Sequence, residues 1–111
     1  MEIYIATSPW NTFQQSLQAQ LATHGFTVRV GGQPLEEADR KRLRDTLDRT
    51  DVGVLLLPCG PEPCLEIGYM AGRGKPVFIL DANVYSPEIA HEAWRGVRSG
   101  NELVDALEKL R

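Results

Sequence analysis

The hexapeptide VGVLLL at 52–57 is apolar at every position, follows Asp51 and stops at Pro58. A strand with one face in water alternates apolar and polar residues, whereas an unbroken run of this length suits a central strand covered on both faces. Such a strand calls for a parallel sheet with crossover helices on either side.

The flanking segments supply those parts. EIYIAT, 2–7, reads as a first strand, and Ser8-Pro9 offers an N-cap and a first helical position directly after it. Phe13, Leu17 and Leu21 then recur every four residues, and His24-Gly25 ends that helix. FTVRV, 26–30, reads as the second strand; after a Gly31-Gly32 turn, Leu35, Leu43 and Leu47 share one helical line that ends before Asp51. A third helix is predicted over about 63–73, with Gly68 and Gly72 placed to let it approach the sheet closely, and KPVFIL makes a fourth strand. Ser86-Pro87-Glu88 opens a fourth short helix, and a short fifth strand is placed near Gly96 to Arg98. Ser99 and Glu102 have capping-box spacing before a last helix carrying Leu103, Leu107 and Leu110. The expected fold is α/β: a single three-layer domain over 1–111, with about five parallel strands and helices on both faces, flavodoxin-like or Rossmann-like.

Composition narrows the function. The net charge of −3, with lysines and arginines spread among acids, leaves no basic stripe for a nucleic acid polymer. No apolar run approaches a membrane span, so a cytoplasmic protein with no membrane partner is expected. Cys59 and Cys64 match no common metal spacing and are read as reduced thiols, a disulfide being the lesser alternative. GRGKP lacks the spacing of a P-loop, so Lys75 is assigned to capping a helix end. Neither a metal nor a cofactor is expected.

In open parallel sheets the ligand crevice lies beyond the carboxyl ends of the strands. That rule selects Thr7-Ser8, Cys59-Gly60 and Asp81 at strand ends, with Glu62 and Glu66 in the first turn of the third helix. Asp51 opens its strand at the opposite edge and is read as structural. Glu66 allows two readings: an acid favoured by the helix dipole, worth about 0.3 to 1 kcal/mol, or a functional carboxylate. Asp39 falls on the inward line of the second helix, either reaching a donor at the helix start or lining the site as a second carboxylate. Tyr4 and Trp10 have paired readings: aromatic residues most often serve the core or its margin, while beside a ligand Trp10 would stack on a planar base and Tyr4 would hydrogen-bond a carboxylate.

Two segments, "IYIATSPW" at 3–10 and "DVGVLLLPCGPEPCLEIGYMAGRGKPV" at 51–77, resemble the nucleoside 2-deoxyribosyltransferase family and the related deoxynucleoside 5'-monophosphate N-glycosidases. The resemblance implies that Glu66 is the nucleophile and that Tyr4 assists it. It implies a ligand-contacting first loop, here Ala6, Thr7, Ser8 and Trp10, with Cys59, Gly60, Glu62 and Asp81 around the same nucleoside or nucleotide. The implied chemistry is cleavage or transfer of an N-glycosidic bond through a covalent glycosyl-glutamate, as in retaining glycoside cleavage. A homodimer or larger assembly is also implied.

The chain departs from the family pattern at two places. The acid that protonates the leaving base falls, by spacing from Asp51, on Leu43; Asp39, one helical turn earlier, is the expected substitute. The loop Gly60-Pro61-Glu62-Pro63-Cys64 replaces a serine or aspartate that contacts ligand, and Glu62 would repel a phosphate. Two alternatives stand beside the enzyme: a binding module of the same fold without turnover, and a phosphoribohydrolase whose PGG-x-GT-x-x-E signature PCG and the following glutamate match only in part.

Overall fold

The computed structural model of the chain describes residues 1–31, 37–81 and 94–111, the side chains of 37–40 and 94 excepted. The elements run β1 (Glu2–Ala6), α1 (Phe13–Thr23), β2 (Thr27–Val30), α2 (Glu37–Arg49), β3 (Val52–Leu56), α3 (Pro61–Gly72), β4 (Val77–Leu80), β5 (Trp94–Val97) and α4 (Gly100–Glu108). The strands form one sheet in the order β2-β1-β3-β4-β5, and every neighbouring pair is parallel. This is the expected flavodoxin-like α/β arrangement, in which the order reverses between β1 and β3.

Because side chains alternate along a strand, the sheet has two apolar faces. Ile3, Ile5, Val52, Val54, Leu56, Phe78 and Leu80 meet Leu17 and Leu21 of α1 and Leu103 and Leu107 of α4. Tyr4, Ala6, Leu55, Val77 and Ile79 meet Leu47 of α2 and Ile67 and Met70 of α3. Every residue of β3 is buried, as its unbroken apolar run requires. Each fully buried aliphatic side chain contributes about 1.5 to 3 kcal/mol, so these two faces dominate the stability.

Four local expectations change. The first helix begins at Phe13 with Thr12 as N-cap, not at Ser8-Pro9; the Ser8 hydroxyl instead accepts the Gly60 N–H at 2.7 Å, so a tertiary partner takes the oxygen that local propensity assigns to a cap. Gly68 and Gly72 do not face the sheet, since a Cβ at either would meet nothing within 4 Å. The close approach is made from the strand side: a Cβ on Gly53 would lie 2.9 Å from Ile67 Cδ1 and 2.9 Å from Met70 Sδ. The fifth strand, Trp94–Val97, starts two residues earlier than placed from sequence. Lys75 caps the preceding helix rather than its own, donating to the carbonyls of Asp48 at 2.6 Å and of Thr50 at the end of α2. The short helix expected at Ser86-Pro87-Glu88 and the inward Leu35 lie outside the described residues.

Ser99 is the N-cap of α4 and accepts the Glu102 N–H at 3.1 Å, while Glu102 reaches back to the Arg98 N–H at 3.0 Å. Asp51 is structural, as expected: its carboxylate accepts the Glu2 N–H at 2.8 Å and its own N–H donates to the Glu2 carbonyl at 2.9 Å. The pair fastens β1 to the start of β3 at the amino edge of the sheet.

Candidate active site

β1 turns Tyr4 toward α3, and its phenol donates to Oε2 of Glu66 at 2.9 Å in a buried contact. Tyr4 is 2% and Glu66 9% exposed. The helix that carries Glu66 starts at Pro61, with Gly60 as N-cap, so Glu66 lies in the second turn and Glu62 alone is the acid of the first. Dipole stabilisation fades beyond the first turn, and it does not account for a carboxylate drawn beneath the surface. An acid that gives up water here has Tyr4 as its compensating donor.

Gly31, at the end of β2, provides the space for this pair. A Cβ there would lie 1.6 Å from the Tyr4 hydroxyl oxygen and 3.1 Å from Glu66 Oε2. The sequence pattern predicts only a turn at Gly31; its role depends on how far the Tyr4 ring leans along the sheet, which no local pattern reveals.

The first loop is tied to the loop after β3 by three buried polar residues. Thr7 Oγ1 donates to the Leu56 carbonyl at 3.0 Å, Ser8 accepts from Gly60, and Asn11 Nδ2 donates to the Pro58 carbonyl at 3.1 Å. The Asn11 carbonyl oxygen also accepts the Phe13 N–H at 3.1 Å, just ahead of α1. Thr7 and Ser8 thus pin the first loop to the segment after β3, and Asn11, not singled out from sequence, does the same work. Ala6 is buried at the end of β1. Trp10 is 62% exposed beside these ties, free to cover a planar ligand.

Cys59 and Gly60 are half-buried at the end of β3, and Glu62 is exposed. The N–H of Asp81 donates to the Val97 carbonyl at 3.1 Å, which places Asp81 just past β4 at the same carboxyl edge. Asp39 lies in the first turn of α2, but its side chain is outside the described residues. Leu43, on the next turn, packs against the apolar face that holds Tyr4.

Burial is the largest influence on Glu66 and lifts its carboxyl above the usual range; the Tyr4 hydrogen bond opposes that rise and the charge of Glu62 adds to it. Burial, then the Glu66 charge and the shared hydrogen bond, keep the Tyr4 proton on its oxygen far above the ordinary phenol range. Tyr4 is therefore a donor throughout the working pH range. When ionised, Glu66 is a poorly hydrated carboxylate with one oxygen held by Tyr4. Among the described residues no sealed-off side-chain nitrogen or oxygen lacks a partner. A carboxylate so held has the chemistry of a nucleophile toward an electrophilic carbon.

Two cavities, of about 230 and 540 Å³, open at the other edge, around Pro76 and Leu110, and neither is lined by Tyr4 or Glu66. Among the described residues no three potential ligands come together for a metal, and no helix is long and apolar enough to cross a membrane.

No protein-family model matches the chain, and no curated protein matches it in sequence. A solved structure does share its architecture: the CMP N-glycosidase BcmB of Clostridium botulinum aligns with a TM-score of 0.65 over 98% of this chain and 99% of that chain, at 18% identity. The domain built around Tyr4 and Glu66 thus has, over nearly its whole length, the fold of an enzyme that cleaves an N-glycosidic bond.

Proposed function

We propose that the chain cleaves or transfers the N-glycosidic bond of 2'-deoxyribonucleosides, with Glu66 as nucleophile. The observation that carries this reading is the buried Tyr4–Glu66 hydrogen bond of 2.9 Å at the carboxyl edge of the sheet. The fold shared with a CMP N-glycosidase and the family-like segments at 3–10 and 51–77 support it.

In the first step a Glu66 carboxylate oxygen bonds to C1' as the C1'–N bond breaks, and the bonding pair leaves with the base nitrogen. The base takes a proton, for which Asp39 at the start of α2 is the proposed source. Tyr4 holds the other Glu66 oxygen and keeps its own proton. In the second step water or a second base attacks C1', passes its proton to the Asp39 carboxylate left by the first step and releases Glu66, the deoxyribose having been held covalently in between. Water makes the chain a hydrolase and a base makes it a transferase. Ala6, Thr7, Ser8, Trp10, Cys59, Gly60, Glu62 and Asp81 are proposed to surround the substrate.

Glu62 favours an uncharged nucleoside, because an exposed carboxylate at the head of α3 opposes a phosphate there. The alternative substrate is a deoxynucleoside 5'-monophosphate; the nucleotide named for the structural neighbour, CMP, supports the 5'-phosphate, although its sugar is ribose. A homodimer is also proposed, since Leu65, adjacent to Glu66, is 74% exposed and Trp10 is uncovered as well. Incubation with deoxynucleosides and with their 5'-monophosphates, each with and without a second free base, tests the whole reading. Base release or exchange supports it; neither, under all four conditions, contradicts it. A protein that binds nucleoside equally well after Glu66→Ala and never turns it over is a binding module.

A further inference from the structure

Cys59, just past β3, and Cys64, in the first turn of α3, form a pair of thiols to which the bond-making steps of the proposed reaction give no role. Cys59 and Cys64 are both free, and their sulfurs lie 4.0 Å apart, within sulfur hydrogen-bond reach. A disulfide needs about 2.05 Å, so closing the gap requires side-chain rotation and a shift of the loop. Cys64 is exposed on α3 and Cys59 is half-buried at the end of β3. The Glu66 charge acts on Cys59: burial first, then Cys64, then Glu66 push that thiol up to about 12. The segment between the sulfurs contains Gly60, the N-cap of α3, whose N–H is held by Ser8 at 2.7 Å.

We propose that Cys59 and Cys64 form a reversible disulfide on exposure to a low-molecular-weight disulfide, and that the oxidised protein is held inactive. The exposed Cys64 reacts first. Its sulfur, as thiolate, attacks one sulfur of the oxidant RSSR, forms Cys64–S–SR and releases RS⁻. Cys59 then gives up its proton, attacks Cys64 Sγ and releases the second thiol. The two cysteines lose two protons and two electrons, and one RSSR becomes two RSH. The new bond draws Cys59 toward α3, pulls on the Gly60–Ser8 contact and alters the surface beside Glu66. Displacements on the order of 1 Å near reacting groups cost about 100-fold in rate. Disulfide formation follows from the thiol pair alone; the loss of activity rests on the proposed role of Glu66.

The test treats the full chain with oxidised glutathione, then measures intact mass, thiols open to iodoacetamide, and deoxynucleoside turnover, before and after dithiothreitol. The expected product is about 2 Da lighter, has lost both alkylatable thiols, and turns over roughly 10- to 100-fold more slowly, all reversed by dithiothreitol. Cys64→Ser, a change on the exposed face of α3, is expected to keep its turnover under the same oxidant. Two alkylatable thiols remaining after treatment overturn the proposal, as does a disulfide-linked protein with undiminished turnover. A reduced protein with no turnover on any substrate contradicts the proposed function instead, while the mass and alkylation readings still decide whether the disulfide forms.

Discussion

The phenol of Tyr4 and the carboxylate of Glu66, separated by 62 positions in the chain, meet at 2.9 Å at the carboxyl edge of the sheet. One comes from the middle of β1 and the other from the second turn of α3, on either side of the point where strand order reverses. The contact fixes a buried acid in a single orientation, and its removal has a definite sign.

Tyr4→Phe keeps the ring that fills the core and removes only the donor. Glu66 then loses the hydrogen bond that lowers its pKa, so ionisation needs a higher pH. A hydrogen bond to a charged group is worth about 1.5 to 3 kcal/mol, which corresponds to roughly 10- to 100-fold in rate. Turnover at neutral pH should fall by that order, with the acid limb of the pH–rate profile moved to higher pH. An unmoved limb would show that Tyr4 does not tune Glu66. Glu62→Gln should move the limb the other way, since the Glu62 charge raises Glu66.

Gly31→Ala places a methyl 1.6 Å from the Tyr4 oxygen. Overpacking of this kind costs about 1 to 3 kcal/mol. The cost should shrink when the same change is made in a Tyr4→Phe background, because the hydroxyl is the first atom struck. Denaturant unfolding of the single and double variants measures that coupling; strictly additive losses would place Gly31 away from the pair.

Glu66→Gln should unfold several degrees higher than the wild type at pH 8. The Glu66 pKa is raised in the folded protein, so the folded state binds more protons between the ordinary and the raised value, and stability falls as pH rises through that window. The amide introduced by this change carries no charge to desolvate and can still accept from Tyr4. The advantage should vanish below about pH 4, where the glutamate is protonated in both states. Thermal unfolding across pH checks this, and a lower melting temperature at pH 8 would mean that the carboxylate is well compensated.

Asp39→Ala should slow the departure of an ordinary base and leave the fold intact. A substrate whose base leaves without protonation should be cleaved at nearly the wild-type rate, since the acid is then dispensable. Lost stability with full activity would make Asp39 structural.

Much of this is visible in the chain because it depends on local pattern. The apolar run of β3, the recurring Leu17 and Leu21 of α1, Gly25 with its φ of 83°, and the Ser99–Glu102 cap each declare an element through composition over a few residues. Glu66 is singled out by motif resemblance and by the rule about strand ends, and Tyr4 by motif resemblance. Three features depend instead on distances between segments far apart in sequence. Ser8 is drawn away from its local capping role by Gly60; Gly53 makes the close approach that the spacing of Gly68 and Gly72 predicts for them; Gly31 clears space for a hydroxyl attached to another strand. Side-chain reach across the sheet decides each of these, and no periodicity encodes it.

The claim that Glu66 forms a covalent bond to the sugar is tested most directly by intact-mass and peptide mass spectrometry after mixing the protein with a 2'-fluorinated deoxynucleoside. The account predicts a fluorodeoxyribosyl adduct on the peptide that carries Glu66, absent from Glu66→Gln. Release of base from natural deoxynucleosides with no adduct at Glu66, or with the adduct on another residue, would contradict it.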